Sequence, residues 1–381
     1  MRGSFSVFYV TLLDVFSWSR AATAGAISLA VIVEGLSLPF VGSLTDRLGA
    51  RRALSLGGLM LLLGLGLSST ISSLWELYLW MGVATALGLG LIGTVPHVSI
   101  LSRKFSQNRG TILGIAYAGG GFGTLFLVPL SQLIISAWNW SAAYMILGGI
   151  AALLVIPPAQ AFFDSDSGPS HAPAKSKEMR TEWTVRQALS SSVFWLLFFS
   201  RVLASMGNQL VVTHQIAHTV DVGYTKLFAA SIFGVMGIFS IFGRVLFGYL
   251  TDHMKRAAVF MWVQVVSAMG VVALLALQDT VHPILLYAFA VLYGLGQGSR
   301  ALVLSAISAG LFLGKNFGAI YGYFTLSIGV GGSLGAWLGG FLYDVTGSYF
   351  TAFCTTLVCF FVSSVCVWVL QAMANHLPRK N

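Results

Sequence analysis

Gly42-Ser43-Leu44-Thr45-Asp46 and Gly248-Tyr249-Leu250-Thr251-Asp252 carry one pattern of glycine, leucine, threonine and aspartate in the same register, 206 positions apart. The same displacement takes Trp18-Ser19-Arg20 onto Tyr224-Thr225-Lys226 and Gly88-Leu89-Gly90 onto Gly294-Leu295-Gly296. A displacement of 208 takes Asn108-Arg109-Gly110 onto Asn316-Phe317-Gly318. One such pair would be chance among 43 glycines, but four in chain order mark a duplicated unit.

Around these repeats the chain is apolar. Of its 381 residues 56% are hydrophobic and 9% charged, where a soluble domain carries roughly 25% charged. That leaves too few polar side chains to coat a water-facing globule. After a short apolar run from Ser4 to Phe16, further runs cover 21–44, 53–72, 75–100, 111–136 and 142–162. The stretch 163–189 is polar and rich in Ser, Pro and charge, as in a linker. Six more runs follow, at 190–216, 226–250, 257–277, 284–309, 319–342 and 349–371. Runs of about 20 apolar residues are long enough to cross a bilayer as helices. The expected fold is therefore an all-α membrane protein of two six-helix bundles related by pseudo-twofold symmetry. Its expected parts are an N-terminal half at 1–162, a linker at 163–189 and a C-terminal half at 190–381.

The repeat also measures the first helix. Met1 is equivalent to Gly207, in the middle of the seventh run. The first helix is therefore expected to be truncated at its N-terminus, most simply through a start codon assigned too late, with Arg2 at mid-membrane depth opposite Asn208.

Lysine and arginine concentrate in alternate gaps. One set holds Arg47, Arg51, Arg52, Arg103, Lys104 and Arg109, the linker bases, Lys255, Arg256, Lys315, Arg379 and Lys380; the other holds Arg20 and Lys226. Basic loops stay on the cytoplasmic side. The linker and C-terminus are thus expected in the cytoplasm, and the chain as a multi-pass protein of the plasma (inner) membrane. The formal charge of +9 sits in these gaps rather than on one soluble face, which argues against a nucleic-acid partner. No nucleophile elbow, phosphate-binding lysine loop or metal-ligand cluster occurs, so neither an enzyme nor a cofactor is expected. Cys354, Cys359 and Cys366 share one apolar run without ligand spacing and are read as packing residues.

Ionisable residues inside the runs are costly and mark function by default. Arg201, Arg244 and Arg300 fall inside runs, in one layer of the inner half of the membrane with Glu34. Facing a common cavity, three cations would have their repulsion relieved by an anion, and guanidinium matches carboxylate bidentately. The competing reading is structural pairing or snorkelling. Asn208, Gln209 and Gln297 are candidates to line a polar path. Proton coupling needs a titratable group, and the candidates are Glu34, Asp14, His97, His214 and His218. Glycine clusters at 119–123 and 329–332 occupy equivalent helices and would let the halves approach and rock.

Gly42 to Arg52 resembles the signature loop between the second and third helices of the major facilitator superfamily. Gly248 to Arg256 resembles its degenerate second copy, two residues shorter and without the loop glycine. Phe16 to Ala21, Gly119 to Gly123 and Phe242-Gly243-Arg244 are similar to the monocarboxylate and oxalate/formate porter branch of that superfamily. The resemblance implies a cytoplasmic gate latched at Asp46 and Asp252, with Arg47 and Arg51 beside it, and a substrate carboxylate bound by Arg244. A departure limits it: the oxalate porters' eleventh-helix lysine falls here in the region of Ser327 and Ile328.

The function expected is secondary active transport of a small organic anion, a monocarboxylate, by alternating access in a monomer, with proton symport. The substrate-binding candidates are Arg244, Arg300, Arg201, Asn208 and Gln297. Two alternatives stand beside it. One is a drug or lipophile exporter of the same superfamily, against which the absence of a Gly-Pro pair in the fifth helix argues. The other is a non-transporting membrane sensor built on this fold.

Overall fold

A computed structural model describes residues 3–93, 109–162, 183–312 and 317–376. Helices make up nearly all of it, and no strand occurs among the described residues. The first half comprises α1 (Phe5–Phe16), α2 (Arg20–Ser68), α3 (Leu74–Leu91), α4 (Arg109–Ala137) and α5 (Trp140–Phe162). A single turn, α6 (Val185–Leu189), leads into α7 (Ser192–Asp221), α8 (Lys226–His253) and α9 (Arg256–Leu275). The chain ends with α10 (Ile284–Phe312), α11 (Phe317–Thr346) and α12 (Phe350–His376).

Ten segments among the described residues are long and apolar enough to cross a membrane, two of them within α2. The protein is a multi-pass membrane protein. α10 is 29 residues long but is not among the ten; Gln297, Ser299 and Arg300 interrupt its apolar course.

The runs expected at 21–44 and 53–72 are joined in one element of 49 residues. At about 1.5 Å per residue a straight rod of that length would be more than twice the thickness of the hydrocarbon layer. It bends at Gly49, whose φ of 78° and ψ of 161° lie in a region that only glycine adopts without strain. One residue thus does what the sequence pattern suggests for a whole loop. α3 carries its own irregularity, a π-helical stretch Tyr78–Thr85 in which the Thr85 hydroxyl donates to the Trp80 carbonyl at 2.9 Å.

Within hydrocarbon no hydrophobic force drives helix against helix, so association relies on close packing of small residues. The halves meet along α2–α11 and α4–α8. Across the first seam a Cβ on Gly35 would lie 3.6 Å from the Gly329 Cα. Across the second, a Cβ on either Gly121 or Gly237 would come within 2.8 Å of the other's carbonyl oxygen. α8 and α10 also touch closely: a Cβ on Gly243 would lie 2.0 Å from the Leu295 oxygen, and one on Gly298 2.1 Å from the Ser240 oxygen.

The duplicated units also touch at equivalent positions. The Ser6 hydroxyl of α1 donates to the Val212 carbonyl of α7 at 2.7 Å, a separation of 206 residues. Residues one repeat apart meet only beside the axis that relates the two copies. Below, the end of the bundle where α5 finishes and α7 begins is the junction end, and its opposite is the far end.

Candidate functional site

The three intramembrane arginines do not form one cluster. Arg244, on α8, is half-buried at the seam between halves. Its Nε donates to the Gly298 carbonyl of α10 at 3.2 Å, and its terminal nitrogens lie 3.8 and 4.0 Å from where a Cβ on Gly120 of α4 would stand. Glycine at 120 leaves that space open.

Arg300 lies on α10 two residues past Gly298, roughly 200° around the helix. It faces α7 and α12 instead, and is 5% exposed. Its Nη1 donates to Asn208 Oδ1 at 2.7 Å, and the Tyr293 hydroxyl donates to the same oxygen at 3.2 Å. The guanidinium carbon stands 4.3 Å from the Phe360 ring centre and 5.1 Å from that of Tyr293. Its Nε and Nη2 are buried and unpartnered.

Arg201, 4% exposed on α7, has its guanidinium 4.8 Å from the Phe324 ring centre of α11 and an unpartnered Nη1. Neither Arg201 nor Arg300 has a carboxylate partner among the described residues. Gln297 is half-buried one residue before Gly298.

The other candidates scatter. Glu34 is partly buried in α2, its side chain beside Gly90 of α3. His214 is fully buried near the far end. Its Nε2 bonds the Ala336 carbonyl at 2.8 Å, and its ring stands 5.3 Å from those of both Tyr9 and Tyr349. His218 reaches the Leu274 carbonyl at 3.2 Å. His97 lies outside the described residues, as does Arg2. Asp46 and Arg47 belong to α2 just ahead of its bend. Arg51 follows the bend and donates from Nε to Gln160 Oε1 of α5 at 2.5 Å, within its own half. Asp252 is exposed in the last turn of α8.

At the far end the two halves are tied by charge. Arg20 opens α2, whose first turn is capped by Ser19 through the Ala22 N–H at 3.1 Å. Lys226 opens α8, capped equivalently by Thr225 through the Phe228 N–H at 3.2 Å. Each base reaches into the other half: Arg20 Nη2 donates to Asp221 at the end of α7 at 2.9 Å, and Lys226 pairs with Asp14 near the end of α1.

Arg20 is held further. Its Nη1 donates to the Tyr349 hydroxyl at 2.6 Å, and its guanidinium carbon stands 3.7 Å from the Tyr343 ring centre. Burial pushes the Tyr349 phenol up, so it meets Arg20 as a neutral hydroxyl. Asp344 of α11 accepts the backbone N–H groups of Arg20 and Ala21 at 3.0 and 2.8 Å, a helix N-terminus capped from the opposite half. A pocket of about 240 Å³ adjoins this cluster, lined in part by Asp14, Trp18, Arg20, Ala217 and Asp221.

Sequence reasoning takes Arg20 and Lys226 as loop bases and overlooks Asp221 and Asp344. A signal exists: an acid before the turn and a base after it recur as Asp14…Arg20 and Asp221…Lys226. It does not tell that each base pairs with the other half's acid.

A family model described as Major Facilitator Superfamily matches residues 1–280 and 219–380. The chain belongs to this superfamily. Within it, the chain resembles the monocarboxylate branch. It is 28% identical over 361 residues to "Monocarboxylate transporter 13" of Rattus norvegicus, covering 92% of this chain and 80% of that protein. It is 29% identical over 369 residues to "Monocarboxylate transporter 11" of Homo sapiens, covering 92% and 75%. The solved structure of a point mutant of the nucleoside transporter NupG superposes with a TM-score of 0.73 at 12% identity, covering 98% of this chain and 95% of that one. At that identity the likeness concerns the fold. The protein is thus a membrane transporter of the Major Facilitator Superfamily.

Proposed function

We propose that this Major Facilitator Superfamily transporter moves a small monocarboxylate across the plasma membrane by alternating access, in symport with a proton. The observation that carries the reading is Arg244. A guanidinium inside the apolar layer, at the seam of the two halves, opposite a glycine and braced through its Nε by a backbone carbonyl, is placed to meet an anion held between them. The relatives' printed names point to the same substrate class. Gln297, beside the carbonyl that braces Arg244, is the polar neighbour on α10. Arg201, Arg300 and Asn208 support the C-terminal half from within its own bundle.

Alternating access asks each end of the bundle to close in turn around a central site. The far-end cluster supports this, since every one of its bonds between halves must break for that end to open. Lys255 and Arg256 at the junction end favour placing that end in the cytoplasm, with the latch outside. Glu34 and His214 are the candidates for the coupled proton.

Proteoliposomes should accumulate radiolabelled monocarboxylate when an inward proton gradient is imposed. Arg244→Lys, which keeps the charge but loses the bidentate fork, should cut uptake at least about tenfold with unchanged insertion, a loss of about 1.4 kcal/mol or more. Uptake by that variant at the original rate would remove Arg244 from the site, and absence of flux for every carboxylate tried would overturn transport of this class.

A further inference from the structure

The guanidinium of Arg300 is hydrogen-bonded on one edge and unpartnered on the other. Asn208 Oδ1 fixes Nη1, and the rings of Phe360 and Tyr293 stand close by at 4.3 and 5.1 Å. The remaining edge, Nε and Nη2, presents two parallel N–H donors, which is the edge that receives a bidentate oxyanion. Both atoms are buried without a partner, in a side chain 5% exposed.

A buried cation normally has a counter-charge, because leaving one unpaired in a low-dielectric interior costs several kcal/mol. No carboxylate of the described residues supplies it. Asn208 contributes only a neutral dipole, which orients the fork without neutralising it. Asn208, which holds the fork, is itself only partly buried.

We infer that Arg300, positioned by Asn208, forms a second anion site inside the C-terminal bundle, separate from the seam at Arg244 and holding one small monovalent anion. Two facts separate it from the seam: Arg300 points roughly 200° around α10 from Gly298, and its neighbours belong to α7 and α12. The fork takes a planar oxyanion on both donors or a halide between them. The inference stands whether or not the seam carries substrate.

Asn208→Asp tests it, because the new carboxylate would sit where Nη1 is already held and supply the missing counter-charge from within. In detergent, the purified wild-type protein should gain melting temperature saturably with sodium formate or sodium chloride at constant ionic strength, balanced with bulky gluconate. Asn208→Asp should melt higher than wild type without added anion and lose at least about four-fifths of the anion response, the saturation expected when the site carries its own carboxylate. Arg300→Gln should lose the response as well. The formate and chloride arms tell oxyanion from halide, and a response to either that vanishes in both variants supports the site. A wild-type melting temperature indifferent to both anions, or an Asn208→Asp protein that responds as wild type does, overturns it. Formate is itself a monocarboxylate and fits the seam as well, so the formate arm is repeated in the Arg244→Lys background. There the remaining response must still vanish with Asn208→Asp and with Arg300→Gln; melting temperature and flux then read the two proposals separately.

Discussion

Gly243→Ala would put a methyl carbon 2.0 Å from the Leu295 oxygen and 2.7 Å from its carbonyl carbon. Both obstacles are backbone, so a rotamer change cannot relieve them, and α8 must move off α10. That motion also lengthens the Arg244–Gly298 bond, since Gly298 lies on the same face of α10. Overpacking of this kind costs about 1–3 kcal/mol, and the expected result is a lower melting temperature in detergent together with slower uptake. Gly149→Ala is the control: nothing stands within 4 Å of its Cβ position. Alanine there should be neutral or stabilising by up to about 1 kcal/mol, as helix propensity alone dictates. Equal losses in both variants would show that the tight contact has no special weight. Far-end residues sort by exposure in the same way. The Lys226 and Asp14 side chains are 36% and 58% exposed, and such pairs contribute about 0–1 kcal/mol. Arg20 and Asp221 are 18% and 33% exposed, and Arg20 also bonds Tyr349. Arg20→Ala should therefore change uptake kinetics several-fold more than Lys226→Ala, measured in the same vesicles.

At the scale of elements, Asp344 joins two helices of opposite halves by capping α2 from α11. Asp344→Ala removes the acceptor of two N–H groups at an exposed helix start, where a cap is worth about 0.5–2 kcal/mol. The balance between far-end-closed and far-end-open forms should shift several-fold toward open. A cysteine at Ala217, in the pocket behind Arg20, reports this once Cys354, Cys359 and Cys366 are replaced. Its reaction with a membrane-impermeant maleimide should quicken in Asp344→Ala, and an unchanged rate would show that the cap does not hold that end shut. The elements themselves are largely legible in the sequence. Apolar length marks the spans, and the repeated glycine-to-aspartate loop marks the two halves, because both signals are local. The bend at Gly49 is less legible, since a loop and a single left-handed glycine within a helix share the same composition. The partners of Arg20, Arg201 and Arg300 are not legible at all. Which face of α10 carries Gly298 and which carries Arg300 follows from spacing, but that Asn208 and Phe360 stand opposite Arg300 depends on how three helices pack.

For the whole molecule, the two bridges at the far end matter more as a pair than singly. Arg20–Asp221 and Lys226–Asp14 are the same contact made twice, base after the turn to acid before the turn of the other half, beside an axis where Ser6 meets Val212. A single six-helix unit with one acid and one base in those places would form both bridges by pairing with a copy of itself, since a twofold axis makes every contact in duplicate. Fusion into one chain keeps the duplicate and frees each copy to change. One has kept a simple exposed pair, while the other has gathered Tyr343, Tyr349 and Asp344 around its arginine. Under the proposed alternating access the far end is hinged unequally: a rocking motion would strip the Lys226 side at little cost and work against the Arg20 side, which would give a symmetric scaffold a preferred direction of opening.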